Sequence, residues 1–185
     1  MRIISVKHSA EVIVGDYQFH HNVMKEVHSL LDKGVRPIPP DHSHVKASIH
    51  TEWDWEPDNI TFRNLKAFDR EEIVRYFKPG SMSGGPRLPV NCINFWANVY
   101  EKGDYARSHC HKPFDYSFAY FVKAKRHHAP LIFTDSGKRI RPKEGMFVAF
   151  PGYLRHHVPK HRYSDTRITL SGNFEIDRTK VSIPT

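Results

Sequence analysis

Cysteine is almost absent from this sequence of 185 residues: there are two, Cys92 and Cys110, too few for a disulfide framework. A reducing compartment is therefore the default. No run of about 18 apolar residues occurs, which argues against a membrane-spanning helix. The first residues, Met1-Arg-Ile-Ile-Ser-Val, read as a short strand without the apolar stretch and small-residue cleavage site of a secretory leader, so the expected location is cytoplasmic. There is no Lys/Arg block, no internal repeat and no low-complexity tract. A net charge of +8, from 28 basic and 20 acidic residues, favours encounter with anionic partners, but its scattered distribution does not indicate a nucleic-acid-binding arm. The length supports one domain with a real core, spanning residues 1–185, and not two. What stands in excess is histidine, with 14 residues, the side chain most often used as a metal ligand.

The chain changes character near residue 90. Before it, Val23, Met24, Val27, Leu30 and Leu31 fall on one face of an expected helix over residues 21–33, ended by Gly34. Pro37, Pro39 and Pro40 enforce an extended connection. Asp69 followed by Glu72 resembles a capping box opening a second helix, with Pro79-Gly80 as its stop. The Gly/Pro/Ser-rich residues 80–89 read as a loop, either a plain connection or a lid. Residues 1–89 thus support a strand-rich second part, 90–176. There Ile93, Phe95, Ala97 and Val99 alternate with Asn94, Trp96, Asn98 and Tyr100, and further β-rich runs fall at 117–122, 130–133, 146–150 and 166–174. Gly103-Asp104, Asp135-Ser-Gly137, Lys143-Glu-Gly145 and Pro151-Gly152 separate them as turns. The expected fold class is α+β, mainly β: a jelly-roll barrel with N-terminal helices packed against it. An edge strand within residues 1–14 offers a surface for a homodimer.

Two histidines, His109 and His111, sit two residues apart. On a strand this spacing puts both on one face with Cα atoms about 6.6 Å apart, close enough to share one metal ion. Cys110 then points the other way as a packed small hydrophobe. A third ligand must come from elsewhere, and Leu154-Arg-His156-His157-Val158, following a turn after an apolar strand, supplies it. His156 and His157 cannot both face inward on a strand, and His156 is favoured. Farther on, alternation in Thr166-Arg167-Ile-Thr169-Leu-Ser171-Gly-Asn173-Phe places Arg167, Thr169, Ser171 and Asn173 on one face. A guanidinium flanked by hydroxyls on such a face can grip a carboxylate bidentately.

Together these segments resemble the 2-oxoglutarate- and Fe(II)-dependent dioxygenases, in particular the small prolyl-4-hydroxylase-like group found in bacteria and phages. The resemblance runs over residues 94–174, through Trp96-Ala-Asn98-Val-Tyr100, Gly103-Asp104, His109-Cys-His111-Lys-Pro113, Ser117-Phe-Ala-Tyr120-Phe121, Gly145-Met-Phe-Val-Ala-Phe150-Pro151, Leu154-Arg-His156 and Arg167-Ile-Thr169-Leu-Ser171-Gly-Asn173, with weaker similarity at Ala47-Ser-Ile-His-Thr51-Glu-Trp53-Asp54. It implies a double-stranded β-helix, His109 and His156 as iron ligands, and Arg167 pairing with the distal carboxylate of 2-oxoglutarate beside Thr169 or Ser171. It places Asn98, Tyr100 and Tyr120 against that co-substrate. The implied reaction consumes 2-oxoglutarate and O2, releases succinate and CO2, and hydroxylates an unidentified substrate, a protein or another anionic molecule, in the cytoplasm of a bacterial or phage-infected cell. No catalytic residue is implied beyond those holding metal and co-substrate.

One position departs from the pattern. The usual facial triad is two histidines and a carboxylate, yet His111 stands where the acid belongs. A neutral ligand there raises the charge of the metal centre and disfavours its higher oxidation state. Asp115 is the substitute ligand if the chain bends after Pro113; ligation by three histidines is the favoured expectation. Two other readings stay open. Gly103, His109-x-His111 and Asp115, with Gly145, Pro151 and His156, also follow much of the cupin pattern, a metal enzyme without 2-oxoglutarate, although Val122, Tyr153 and Lys160 depart from it. The other is a non-catalytic barrel holding an anionic ligand with Trp53, Trp55 and Trp96. Arg167-x-Thr-x-Ser has no role in a cupin and favours the oxygenase.

Overall fold

The computed structural model describes residues 10–35, 37, 39, 43–55, 59–78 and 89–180. The expected strand at Met1–Val6, the Pro79-Gly80 helix stop, Pro40 and the 80–89 loop up to its last residue, Pro89, lie outside the described residues. Within them the chain runs β1 (Ile13–Asp16), α1 (His20–Asp32), β2 (Val45–Lys46), β3 (Ile49–His50), α2 (Ile60–Phe77), β4 (Val90–Tyr100), β5 (Tyr105–His109), β6 (Tyr116–Lys123), β7 (Leu131–Phe133), β8 (Arg139–Ile140), β9 (Met146–Pro151), β10 (His156–Val158) and β11 (Arg167–Ile176). A 3-10 turn at Arg178–Lys180 follows.

Strand pairing is antiparallel throughout and forms two sheets, β1-β9-β6-β11-β4-β3 and β2-β5-β10-β7-β8. Residues of both sheets meet in one apolar cluster, Val45, Ala106, Leu131, Phe133 and Val158 from one and Tyr100, Phe121, Val148 and Phe150 from the other. Alternation sends the opposite faces of the larger sheet, Phe95, Ala97, Val99, Phe118, Val122, Phe147, Ala149, Ile168 and Leu170, against Val23 and Val27 of α1 and Phe62, Leu65 and Ile73 of α2. The architecture is a double-stranded β-helix backed by two helices, mainly β, as the sequence pattern predicts. Its central pair is β11 with β4, in a register that sets Arg167 opposite Tyr100, Thr169 opposite Asn98 and Ser171 opposite Trp96. β1 lies at the edge of the larger sheet, and no helix among the described residues is long and apolar enough to cross a membrane.

The second helix corrects the sequence reading. It begins at Ile60, capped by Asn59, whose side-chain oxygen accepts from the Thr61 amide at 2.7 Å. Asp69 is not a cap but sits mid-helix on the buried stripe Phe62, Leu65, Asp69, Ile73. A carboxyl in an apolar position disguises the helix period, which is why the pattern seems to start late. The first helix ends as expected: Gly34 takes φ 85°, a left-handed turn suited to glycine.

Asp69 is fully buried, and neither of its carboxyl oxygens has a hydrogen-bond partner among the described residues. Burial, reinforced by Glu72, holds its pKa well above the usual carboxylate range. The folded state therefore keeps a proton that the unfolded chain loses, so stability falls as pH rises above the ordinary carboxylate pKa. Asp69→Asn is expected to stabilise the fold by about 1–3 kcal/mol at pH 8 and by less at pH 5, measured by urea denaturation at both. An equal gain at the two pH values would show that ionisation of Asp69 is not the cause.

Candidate metal centre and co-substrate pocket

His109 ends β5, His156 opens β10, and the two are paired across the smaller sheet. His111 reaches them differently from the expectation of a strand pair: β5 stops at His109, and His111 stands in the following turn, its amide donating to Gly152 O at 2.7 Å. Gly152 permits this because a Cβ there would collide with the Phe114 carbonyl. Cys110 correspondingly lines the outer cavity and is not packed behind the strand.

The three rings gather with centroids 4.4 Å (His109–His156), 5.1 Å (His109–His111) and 5.0 Å (His111–His156) apart. The Nδ1 of His109 bonds Arg107 O at 2.7 Å and that of His156 bonds Leu154 O at 2.9 Å. A carbonyl only accepts, so each Nδ1 carries the proton and each Nε2 keeps a lone pair, that of His156 facing His111 Nε2. The Nε2 atoms of His111 and His156 are 3.3 Å apart, which suits two metal bonds of about 2.1 Å meeting at roughly 100°. These backbone bonds orient the ligands as a metal site requires. Burial, then the neighbouring histidines, lowers the pKa of His111 far below the usual imidazole value; burial and His109 push His156 down to about 3; burial lowers His109. All three are neutral at pH 7, the state in which an imidazole can bind a metal. His157 turns away and meets Thr134 Oγ1 at 3.0 Å.

Asp115 does not join the three imidazoles. It is bound by the Arg178 guanidinium and accepts from Ile176 N at 2.8 Å, which fixes it at the far end of β11. Tyr120 also lies elsewhere. Strand alternation turns it to the helix layer, where its hydroxyl meets His20 Nδ1 at 2.8 Å.

The remaining residues converge. A narrow cavity of about 40 Å³ is lined by His109, His111, His156, Asn98, Tyr100, Arg167, Thr169, Ser171 and Trp96, with Val45, Leu131, Phe150 and Val158 as apolar walls. Arg167 is 2% exposed, its guanidinium carbon 4.6 Å from the Tyr100 ring centre and 5.2 Å from that of Phe121. Its Nε and Nη1 have no hydrogen-bond partner, and no ion pair of Arg167 occurs among the described residues. Trp96 Nε1 and Asn98 Oδ1 are likewise buried without partners among the described residues. A guanidinium without a counter-charge in an apolar setting costs several kcal/mol, and an entering carboxylate would offset that cost. The room present holds about one water, so a larger ligand requires the lining side chains to move outward.

Outside the triad lies a second cavity of about 360 Å³, sharing Val45, Trp96, His109 and His111 and adding His44, Lys46, Trp53, Arg107 and Cys110. The His44 ring stacks on His109 with centroids 5.6 Å apart. Sequence spacing gives no sign of His44 or Arg107. They reach the site only through the pairing of β2 with β5, which sets Val45 opposite Ala106.

This barrel, with a cluster of histidines able to hold a metal at one mouth, has the architecture of the 2-oxoglutarate/Fe(II) oxygenases, prolyl 4-hydroxylases included. Among solved structures the chain is similar to the viral collagen prolyl hydroxylase of Paramecium bursaria Chlorella virus-1 in its 2OG complex (TM-score 0.64, 15% identity, 88% of this chain and 94% of that one). It is also similar to a Pseudomonas putida prolyl-4-hydroxylase (0.67, 14%, 91% and 94%). A third is HygX of Streptomyces hygroscopicus with nickel and 2-oxoglutarate bound (0.64, 10%, 91% and 84%). At these identities the likeness is one of fold. No protein-family profile matches the sequence, and no curated protein sequence matches it.

Proposed function

We propose that the chain is a 2-oxoglutarate-dependent non-haem iron dioxygenase that hydroxylates an unidentified substrate in the cytoplasm. The observation that carries this reading is the buried guanidinium of Arg167, with unpaired Nε and Nη1, in the same cavity as three converging imidazoles. The donor set fits a mid-row divalent metal, three nitrogen ligands leaving positions open for co-substrate and O2. Bound iron would supply oxidative decarboxylation: one oxygen atom of O2 enters succinate, the other the hydroxylated product, and CO2 leaves.

The chain's own residues do the positioning. Arg167 binds the distal carboxylate of 2-oxoglutarate through two parallel N–H···O bonds, with its plane held against Tyr100. Thr169, Ser171 and Trp96 Nε1 supply further donors along the cavity, and the apolar walls exclude water. His109, His111 and His156 hold the metal.

The test is succinate formation from Fe(II), 2-oxoglutarate and O2 without added substrate. Slow uncoupled turnover is expected, at least a hundredfold lower in His156→Ala, since losing even an outer partner of a metal ligand costs about 10- to 100-fold. His111→Asp, restoring an anionic ligand, is expected to retain or raise turnover. Three neutral ligands also favour a second reading, a cupin-type metal enzyme that does not use 2-oxoglutarate. Metal binding without any 2-oxoglutarate dependence would establish that reading instead.

A further inference from the structure

At the other end of β7 from His156 stands a second group of metal-ligating side chains. Phe133, the last residue of β7, pairs with His156, whereas His127 and His128 precede its first residue, Leu131. His127, His128 and Asp165 each present a ligand atom, and all three atoms lie within 4.8 Å of one another. Two imidazoles and a carboxylate at that spacing match the donor set of Zn(II), Co(II) and Ni(II) sites. We propose that this cluster is a second divalent transition-metal site, separate from the histidine triad, which clasps the β6–β7 loop to the segment leading into β11.

His128 is 1% exposed, with Nε2 3.0 Å from Asp165 Oδ2. His127 is exposed and packs its ring 4.9 Å from His128 and 4.3 Å from Tyr163, so it can turn onto an ion at little cost. His161 lies behind them, 1% exposed, its ring 4.7 Å from His128. Its Nε2 donates to Asp165 O at 2.7 Å, which fixes the proton there and leaves Nδ1 as a buried lone pair without a partner among the described residues. The approach to Asp165 is held by Gly103 N donating to His161 O and His161 N donating to Asp104 O, both at 2.7 Å, so carboxylate and imidazoles sit on a braced frame.

A resident cation already stands in the place of the metal. The Lys125 ammonium lies 2.8 Å from the same Asp165 oxygen, on a side chain 62% exposed. The Lys125 amide also donates to His128 Nδ1 at 3.3 Å, a long bond that is given up when a metal takes Nε2 and the ring proton moves to Nδ1. Metal binding is therefore an exchange: the ion displaces the ammonium into solvent and takes over its carboxylate. This makes Lys125 a competitor, and it separates a metal clasp from a purely structural salt bridge. In a salt bridge Lys125 is a stabilising partner; in a metal site its removal tightens binding.

The triad must be silent for the test. In full-length His109→Ala/His156→Ala protein, titration with Co(II) followed by its visible d–d absorption is expected to show one remaining site. Adding Asp165→Asn and His127→Ala should abolish it, and adding Lys125→Met should lower its Kd at least threefold. No Co(II) bound up to millimolar concentration, binding unaffected by the Asp165 and His127 substitutions, or weaker binding in Lys125→Met would each overturn the proposal. Because the triad is absent throughout, the result is independent of whether the chain turns over 2-oxoglutarate. Circular dichroism of each variant distinguishes loss of a site from loss of fold.

Discussion

Arg167→Met is expected to abolish 2-oxoglutarate binding while leaving the ligand-free fold as stable as before, or more so. Ordinarily, deleting a fully buried charged side chain from a barrel strand is destabilising because it strands a partner. Here the described residues give Arg167 no carboxylate; the ring faces of Tyr100 and Phe121 and a neutral hydrogen bond with Tyr100 are what hold it. Replacing an uncompensated buried charge with an apolar chain of similar reach removes a desolvation cost. Ligand binding depends on that same charge, and losing one side of a buried charge pair costs about 2–5 kcal/mol, or roughly 30-fold to several thousandfold in affinity. The measurement is thermal unfolding of metal-loaded protein with and without millimolar 2-oxoglutarate. Wild type should gain Tm from the ligand and Arg167→Met should not. A variant that still responds, or that unfolds many degrees lower without ligand, would assign the guanidinium a structural role.

The second large effect concerns acid. His156 is neutral in the fold down to about pH 3, whereas in the unfolded chain it takes up a proton near the usual imidazole pKa. The unfolded state thus binds the extra proton between these values, and stability falls as pH drops from about 6.5 toward 3. At 1.36 kcal/mol per pH unit, His156 alone accounts for a loss of up to about 5 kcal/mol, with His111 shifted in the same direction. Above pH 6.5 both states are neutral and the term vanishes. His156→Phe is expected to flatten the acid limb of the metal-free protein's stability curve while removing metal binding. In wild type, metal affinity should change little between pH 6 and 8, since the ligands have no proton to give up. A tenfold fall in affinity over that interval, or an acid limb unchanged in His156→Phe, would mean that the imidazoles are not held neutral.

What could be read from the residues followed from local period. Alternation along residues 93–100 and 166–174 identified β4 and β11 and the inward set of Arg167, Thr169 and Ser171, because a pleated strand has a period of two whatever it pairs with. The same rule is silent at Tyr120, which the resemblance alone sets against the co-substrate, for a strand covered on both faces gives no sign of which face is the barrel interior. It failed at Asp69 because a buried carboxyl breaks the pattern that marks a helix. Asp115 is available to a metal on sequence spacing alone; Arg178, sixty-three residues away, holds it elsewhere.

By itself, then, the sequence determined the strand-rich architecture and singled out the three histidines and the arginine as candidates, since each depends on residue type and short-range spacing. The tertiary structure alone decided that His111 enters from a turn braced by Gly152 and that His44 and Arg107 border the cavity mouth. It also brought His127 and His128 to Asp165. These are contacts between segments far apart in the chain, set by strand register and backbone hydrogen bonds, and no local period encodes them.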